Sequence, residues 1–212
     1  MKGQIITATM QSLSPIARCH RAAFPASLSS ALGHDYVAKM LSWYLSTDNT
    51  FLFCVNEGDQ CVGYCGGMMK TGVGVGSASS MAQYSFNAAM KAFLLRPWLV
   101  FHKEIRAKFP FIWKNIVNRF VKRNKKITSH STVPFEPYVG LVVIGVDPVY
   151  QGKGYGSLMI QEFEKITQQR GLKKMTLSVR SDNAKAISSY LKNGWLITRD
   201  DAGSTSMEKS LN

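Results

Sequence analysis

Residues 138–156 read YVGLVVIGVDPVYQGKGYG, and this stretch decides the fold class. The run from Tyr138 to Val146 is almost entirely apolar, as expected of a strand that is buried on both faces of a sheet. A helix is predicted from about Gly154 to Gln169, because Gly171 supplies a helix stop. A buried strand that leads through a glycine-rich loop into a helix indicates regular α/β structure.

The loop Gln151–Gly156 has the chemistry of a phosphate-binding turn. At the start of a helix, several unpaired backbone N–H groups and the positive end of the helix dipole point to one place. The three glycines of the loop allow close backbone approach and positive φ values, and Lys153 supplies countercharge. The pattern is not a Walker loop, and it lies too late in the chain for a dinucleotide fingerprint. By itself the loop predicts only a turn that can hold phosphate.

The segments around this loop predict a sheet built from both halves of the chain. Residues 3–10 and the hairpin strands 50–55 and 60–65 come before it, with one helix opened by Ser14-Pro15 and stopped by Pro25 and another from Leu32 to Leu45. After the loop, the pattern predicts a strand at 174–180, a helix capped by Asp182-Asn183 and ended by Gly194, and closing strands at 195–199 and 204–211.

Two of these segments resemble the GNAT superfamily of acyl-CoA-dependent N-acyltransferases. The loop 151–156, of the form Gln-x-x-Gly-x-Gly, is similar to the pyrophosphate loop of that family, with its preceding strand and Val-Asp-Pro lead-in. Residues 183–195, of the form Asn-x6-Tyr-x3-Gly-Trp, are similar to the family's Asn-x6-Tyr-x3-Gly-Phe segment. The resemblance spans residues 138–211, and the helix-helix-hairpin layout before residue 70 agrees with it.

The resemblance implies an α/β (α+β) fold: a splayed mixed sheet of about six to seven strands flanked by helices, in a single domain over residues 1–212. It implies that acetyl-CoA, the acyl donor, lies between the strand ending at Val146 and the strand ending near Arg180, without a metal ion. The donor-binding residues that it implies are Ile144, Gly145, Val146, Gln151, Gly152, Lys153, Gly154, Tyr155, Gly156 and Asn183. The implied activity is transfer of an acetyl group to a primary amine, and the alternative is an acyl-CoA-binding regulatory or membrane-recruited module without efficient catalysis.

Acyl transfer to an amine requires two proton transfers. The expelled thiolate must gain a proton, and a phenol can supply it, so Tyr190 is predicted to be the general acid. The attacking ammonium must lose a proton, and the strands where many relatives carry a glutamate hold none here. Glu136, the nearest carboxylate, is the candidate base. The alternatives are His20, His34 and Asp35 in the first two helices, and His130.

The acceptor amine is less defined than the donor. The segment from Cys19 to Tyr36 resembles a subgroup of these transferases associated with cell-surface polysaccharide and amino-sugar pathways. This resemblance motivates the hypothesis that the acceptor is an amino sugar, including nucleotide-linked forms whose phosphates would be attracted by basic residues.

A basic helical insertion, residues 71–133, is predicted between the third and fourth strands. Between Ser77 and Val133 the sequence has eleven cations and a single acid, Glu104, which accounts for +10 of the net charge of +13. Residues 71–80 are rich in glycine and serine and predict a connector, and prolines at 97 and 110 divide the remainder into short helices. The large apolar residues among these cations include Phe86, Phe93, Leu94, Trp98, Phe101, Phe109, Phe111, Trp113 and Phe120.

Three functions of the insertion stay open. It is either a lid, in which Leu94, Leu95, Trp98, Leu99, Phe101 and Ile105 pack on the core, or a face for an anionic membrane surface through residues 81–126, or a dimer or nucleic-acid contact. Nucleic acid is the weakest of these because no recognised binding motif accompanies the basic residues. The four cysteines predict reduced core thiols, and the N-terminus has no signal-peptide pattern, so a cytoplasmic protein, or one peripheral at the membrane, is expected.

Overall fold

In a computed structural model, residues 3–72, 78–106, 135–201 and 203–211 are described. The strands are β1 (Gln4–Thr7), β2 (Thr50–Glu57), β3 (Gln60–Lys70), β4 (Tyr138–Val146), β5 (Lys174–Arg180), β6 (Leu196–Asp201) and β7 (Ser204–Ser210). The helices are α1 (Leu13–Ala23), α2 (Leu28–Leu32), α3 (His34–Ser42), α4 (Ala78–Tyr84), α5 (Phe86–Leu95), α6 (Tyr155–Gln169) and α7 (Ala184–Lys192).

The strands form one mixed sheet in the order β1-β2-β3-β4-β5-β7-β6. All neighbours are antiparallel except β4 and β5, which run parallel and pair only from Val139 with Met175 to Leu141 with Leu177. β4 then continues to Val146 and β5 to Arg180 without pairing to each other. The predicted splayed sheet of about six to seven strands is therefore confirmed, and the gap between the two strand ends is called the wedge below.

A β-bulge lies at the start of the wedge. Gly67 of β3 pairs with Leu141 and Gly66 pairs with Val143, so Val142 is bypassed. A bulge re-aims the backbone and twists the strand locally. Here it turns β4 away from β5 at the residue where their pairing ends, which opens the wedge.

Two clusters of buried residues cover the two faces of the sheet. On one face α6 and α7 contribute Phe163 and Tyr190 to a cluster that also holds Val139, Leu141 and Leu177. On the other face α1 and α3 pack on β2 and β3, with Ile16, Val37 and Leu41 against Tyr64 and Met68. The first face carries the helix that follows the glycine loop, and the second carries the helices expected to cover the acceptor.

The predicted helix over Leu32–Leu45 is shorter and is preceded by another. Gly33 takes φ 106°, a conformation that only glycine adopts readily, and it separates α2 from α3. The helix α2 was missed because its five residues are too few to show a periodic pattern. After Ser42 the chain tightens into a 3-10 turn over Trp43–Leu45.

The described part of the insertion packs beside α2 and α3. It comprises α4, α5 and, after a break at Arg96, a 3-10 helix over Pro97–Phe101. Most of the connector and residues 107–134, including Pro110 and the aromatic residues after it, lie outside the described residues. Within the described ranges, no helix is both long and apolar enough to cross a membrane.

Candidate active site

The glycine loop has the geometry of an anion cradle. Gly152 and Gly154 have φ values of 78° and 85°, and Gly154 is the N-cap of the 15-residue helix α6. A Cβ added at Gly152 or Gly156 would meet no atom within 4 Å, so there is open space beside the loop. The first-turn N–H groups of a helix have no intrahelical partners and carry partial positive charge. A pyrophosphate therefore fits this loop in both shape and charge.

The side chains of Gln151, Lys153 and Tyr155 contact other residues of the protein. Gln151 Nε2 donates to the carbonyl of Val146 at 3.2 Å, and the Lys153 ammonium lies 4.7 Å from the ring centre of Tyr150. The Tyr155 side chain is buried and its hydroxyl donates to Glu57 at 2.9 Å. Any contact of Tyr155 with a phosphate would therefore come from its backbone N–H, whereas the exposed Lys153 is free to turn toward an anion.

Asn183 lies at the N-terminus of α7 as a helix cap. Its side-chain oxygen accepts a hydrogen bond from the backbone N–H of Ala186 at 3.2 Å. This satisfies one of the unpaired donors of the first turn. The donor-binding role of Asn183 stays a prediction, and the structure gives the residue a local reason to be there.

The strand that lines the wedge brings the predicted thioester-binding residues next to the predicted acid. The side chains of Ile144 and Val146 pack against the same buried cluster that contains Tyr190. Gly145 is in tight contact on the other face, since a Cβ there would come within 2.8 Å of Tyr64 and 2.9 Å of Phe24. Only glycine lets β4 lie this close to both rings.

Tyr190 has the features of a proton donor. Its side chain is 6 % exposed, and burial, with a smaller contribution from Cys65 on β3, raises the pKa of its phenol well above the ordinary value. The phenol therefore stays protonated at neutral pH. No residue in the described ranges forms a hydrogen bond with its hydroxyl, so the proton is available to a bound molecule.

A cavity of about 750 Å³ reaches the start of the wedge from the sheet face opposite α6. Gly140, Thr176 and Glu208 stand in register across β4, β5 and β7 and line it, together with the last paired residues of β4 and β5. It is called the acceptor cavity below. Its full lining is Lys70, Phe135, Glu136, Tyr138, Gly140, Leu141, Lys174, Thr176, Leu177, Ser178, Ser206, Met207 and Glu208.

Glu136 lies in this cavity with a lysine between it and a second carboxylate. Lys174 Nζ is 3.2 Å from Glu136 Oε2 and 3.2 Å from Glu208 Oε2. These two carboxylates raise the pKa of Lys174, Glu208 more than Glu136. The Glu136 side chain is 68 % exposed, so water reaches it. The geometry puts the predicted base beside the cavity but ties it to an ion pair that the sequence did not reveal.

His20 is buried in a chain of hydrogen bonds rather than exposed to an acceptor. Its Nδ1 contacts the Tyr64 hydroxyl at 2.5 Å and its Nε2 contacts Ser29 Oγ at 2.8 Å. Ser29 also contacts Ser27, whose hydroxyl donates to the carbonyl of Phe24 at 2.8 Å. Since each hydroxyl has one proton, Ser29 donates to Ser27, His20 Nε2–H donates to Ser29, and Tyr64 donates to His20 Nδ1.

This network makes His20 a neutral, structural residue. Burial lowers its pKa to about 4, so the ring carries no charge at neutral pH. The network joins α1 and the start of α2 to Tyr64, which packs against Gly145 of the wedge. His20 therefore positions the helices beside the wedge. A sequence pattern does not show this, because His20 and Tyr64 are 44 residues apart.

The other base candidates within the described ranges, His34 and Asp35, do not line the acceptor cavity. His34 Nε2 contacts Ser14 Oγ at 3.1 Å, and Asp35 is in the first turn of α3, where a carboxylate favours the helix dipole. His130 lies outside the described residues. Among the residues that the structure describes, no group of three or more His, Cys, Asp or Glu side chains is arranged to hold a metal ion.

Comparison with known proteins agrees with this architecture. Residues 116–195 match the model of the acetyltransferase (GNAT) family. No curated protein matches the chain significantly. Among solved structures, the PaiA N-acetyltransferase of Thermoplasma acidophilum, in complex with coenzyme A, has a TM-score of 0.53 at 12 % identity, with 99 % of each chain covered.

Two further structures show the same fold. The GNAT-family acetyltransferase of Streptococcus pneumoniae has a TM-score of 0.57 at 15 % identity and covers 100 % of both chains. The GNAT domain of S. lividans PAT has a TM-score of 0.59 at 12 % identity, covering 99 % of this chain and 90 % of that one. At these identities the likeness concerns the fold, while the family match covers the glycine loop and the Asn183–Trp195 segment. Residues 116–195 are therefore similar in sequence to the acetyltransferase (GNAT) family, and the fold of the chain agrees with that likeness.

Proposed function

We propose that this protein is an acyl-CoA-dependent N-acetyltransferase that transfers the acetyl group of acetyl-CoA to the primary amine of an amino sugar, with Tyr190 as general acid. The observation that carries the proposal is the wedge. Pairing between β4 and β5 stops at Leu141 and Leu177, the glycine loop closes the far end of β4, and the acceptor cavity reaches the near end from the other face. A donor in the wedge and an amine in the cavity would meet beside Leu141.

The donor fits the residues that line the wedge. The pyrophosphate of acetyl-CoA would lie at Gly152–Gly156, against the first turn of α6, and unpaired backbone groups of β4 after Leu141 would hydrogen-bond the chain that leads to the thioester. Acetyl-CoA supplies an acyl group on a thiol leaving group. The bound coenzyme A of the Thermoplasma acidophilum relative supports this assignment of the donor.

The chemical step balances with two protein groups. The amine nitrogen attacks the thioester carbon, the carbon–sulfur bond breaks, and the thiolate takes the proton of the Tyr190 phenol. Burial raises the pKa of Tyr190, and the same lack of solvent would raise the pKa of the departing thiol. The two pKa values therefore remain close enough for proton transfer. The amine proton would pass to Glu136, which lines the cavity and is open to water.

The lining of the acceptor cavity suits a hydroxylated amine. Phe135 and Tyr138 stand side by side, with ring centres 6.1 Å apart, and offer an apolar platform for a sugar face. Two carboxylates, two ammonium groups and four hydroxyl side chains supply donors and acceptors for sugar hydroxyls. This chemistry supports the amino-sugar hypothesis, because sugar hydroxyls can donate to the carboxylates and accept from the ammonium groups, whereas a protonated polyamine can only donate.

Release of free thiol from acetyl-CoA across a panel of amines tests this proposal. The panel holds amino sugars with and without a nucleotide diphosphate, polyamines, and peptides with a free N-terminus or lysine. We expect thiol release that depends on an amino sugar. Preferential turnover of a peptide amine would contradict the acceptor assignment while leaving the acetyltransferase intact.

A binding module is the alternative function. In that case the fold retains acyl-CoA but acts as a sensing or membrane-recruited element without efficient catalysis. The partner-free hydroxyl of Tyr190 in the described structure favours the enzyme, since a module has no need of an available proton there. Thiol release no faster than in buffer with every acceptor, together with retained acetyl-CoA binding by calorimetry, would identify the module.

A further inference from the structure

The described part of the insertion carries a row of exposed large apolar side chains. Six of them, called the apolar ledge, are Phe86, Met90, Leu94, Leu95, Trp98 and Phe101, with exposed fractions from 45 % for Met90 to 78 % for Leu94. Single exposed apolar side chains are normal on a soluble surface, but a contiguous group of this size marks an interaction site. The four side chains among them that were predicted to pack as a lid, Leu94, Leu95, Trp98 and Phe101, are therefore exposed instead.

The ledge lies on one side because its two segments are anchored on the other. Phe86, Met90 and Leu94 are spaced four residues apart on α5, so they form one row along the helix. Ala92 of α5 and Leu99 of the following 3-10 helix are buried against the same residue, Leu32 of α2. Both segments thus turn their remaining apolar side chains away from the core.

The segment is held rigidly against the domain. Arg96 Nη1 donates to the carbonyl of Ala31 at 2.9 Å, and Glu104 accepts a hydrogen bond from the backbone N–H of Leu28 at 3.0 Å. These contacts fix both ends of the 3-10 helix to α2. The ledge is therefore a preformed surface rather than a loop that folds back on binding.

The charged residues in the described part of the insertion are almost all positive. Residues 78–106 contain four cations, Lys91, Arg96, Lys103 and Arg106, all exposed, and one acid. That acid, Glu104, is engaged with Leu28. Within the described ranges none of the four cations forms an ion pair with an acidic side chain. Residues 107–134, which follow directly in sequence, contain seven more cations and no acid.

This charge pattern decides between the partners that an apolar surface can have. A second copy of the chain would bring the same cations to the ledge and repel them. Packing of residues 107–134 on the ledge would bring seven further cations and no acid next to its positive charges. A nucleic acid would neutralise the cations but has no apolar interior to receive leucine and methionine side chains. An anionic lipid bilayer supplies both the negative surface and the apolar layer beneath it.

We propose that the apolar ledge docks on an anionic membrane surface, with Leu94, Leu95, Trp98 and Phe101 entering the headgroup boundary and Lys91, Lys103 and Arg106 contacting lipid phosphates. Tryptophan suits such a boundary because its ring is apolar and its N–H is polar. The docked segment is joined to α2, so the active site would be held close to the membrane. This proposal is independent of the acceptor assigned above.

Co-sedimentation of the full chain with vesicles tests the proposal. Vesicles of phosphatidylcholine alone are compared with vesicles that contain about one third phosphatidylglycerol, at low and moderate salt. We expect binding to the anionic vesicles that weakens as salt rises, and little binding to the neutral ones, because exposed charges are screened by salt. Wild-type protein that stays in the supernatant with anionic vesicles at low salt overturns the proposal.

Two double variants distinguish vesicle binding through the ledge from non-specific binding through any exposed apolar side chain. Leu94→Ser with Leu95→Ser removes two exposed side chains and is expected to weaken vesicle binding about tenfold or more, without loss of thermal stability. Leu196→Ser with Ile197→Ser is the matched control, since those side chains are also exposed but lie on β6 at the far edge of the sheet. Equal loss in the control pair contradicts a site at the ledge.

Two more measurements exclude other partners. The emission of Trp98 is expected to shift to the blue on vesicle binding, and the shift is expected to be absent in Trp98→Phe while most of the binding remains. Self-association or single-stranded oligonucleotide binding that is lost in the Leu94→Ser, Leu95→Ser variant, with no vesicle binding by the wild type, would assign the ledge to that other partner and overturn the lipid proposal.

Discussion

Leu141 and Leu177 are the last pair in the parallel ladder between β4 and β5. Both are buried, and both line the cavity that enters from the opposite side of the sheet. Beyond this pair the strands separate, with the bulge at Val142 turning β4 aside. One pair of residues therefore marks both where the sheet opens and where the cavity ends, and the proposed donor and acceptor would meet there. The predictions below test the groups placed around that point.

The glycine loop depends on a left-handed conformation at Gly154. Gly154→Ala puts a Cβ on a residue with φ 85°, which is expected to lower the free energy of unfolding by about 1–2 kcal/mol and to weaken acetyl-CoA binding. Gly203→Ala is the matched control, because Gly203 has φ 93° and a Cβ there meets no atom within 4 Å. We expect a similar loss of stability in denaturant unfolding with unchanged donor binding by calorimetry.

The Gly156→Ala variant tests whether a phosphate lies close to the loop, at a position where the substitution causes no backbone strain. Its φ is not positive and an added Cβ meets nothing within 4 Å, so Gly156→Ala is expected to raise stability slightly. A bound pyrophosphate would meet the new methyl group, and we expect acetyl-CoA affinity to fall about tenfold. Unchanged affinity in this variant would show that the phosphates lie elsewhere.

Tyr190→Phe tests the proton donor. The hydroxyl has no partner in the described structure, so its removal is expected to leave the melting temperature and the KM for acetyl-CoA unchanged. We expect kcat to fall about 100-fold, because a positioned general acid contributes that much or more to a rate. Steady-state thiol release gives both constants. A rate equal to that of the wild type would refute the role.

Replacement by phenylalanine is expected to change the free energy of unfolding in opposite directions at Tyr44 and Tyr64. Tyr44 is 1 % exposed, and its hydroxyl is a buried group without a hydrogen-bond partner among the described residues. Tyr44→Phe is therefore expected to raise the free energy of unfolding by about 1 kcal/mol. Tyr64→Phe leaves His20 Nδ1 unpaired and is expected to lower it by about 1–3 kcal/mol. Urea unfolding of the two variants side by side checks the sign of each change.

His20 predicts a specific loss of stability in mild acid. Its pKa is about 4 in the folded protein and near 6.5 when unfolded, so between these values the unfolded chain binds more protons and stability falls as pH falls. Above pH 7 the effect vanishes. At pH 5 the loss amounts to about 2 kcal/mol. Unfolding at pH 7.5 and 5.0 measures it, and His20→Asn, which lacks the titrating ring, is expected to remove most of this difference whatever its own stability.

The sequence predicted the half of the site that is local in the chain. The strand at Tyr138–Val146, the glycine loop and the helix after it follow from neighbouring residues, as does the cap at Asn183. The partners that depend on folding were not predictable. Tyr64 meets His20 across 44 residues, and Lys174 lies between two glutamates, one from β7 and one from the segment just before β4.

The insertion shows a second limit of prediction from sequence. Periodicity indicated which residues of α5 share a face, but it gives no information on whether that face is covered. Leu99 is buried as expected, whereas Leu94 and Trp98 are exposed, because the helix packs on α2 through Ala92 instead. A pattern predicts an apolar face, and only the packing shows whether the domain itself or something outside it meets that face.

Comparison of variants at Glu136 and Glu208 distinguishes a catalytic base from a residue that only pairs with Lys174. Both contact Lys174 at 3.2 Å, so replacing either with glutamine removes one of the two negative charges beside that lysine. If Glu136 accepts the amine proton, Glu136→Gln lowers kcat/KM by about tenfold or more at neutral pH. The defect then shrinks as pH rises, because the acceptor amine becomes neutral without a base. Glu208→Gln is expected to lower the rate less and by a factor that does not depend on pH. Parallel pH–rate profiles for the two variants would show that Glu136 only positions Lys174, and that the amine loses its proton to water.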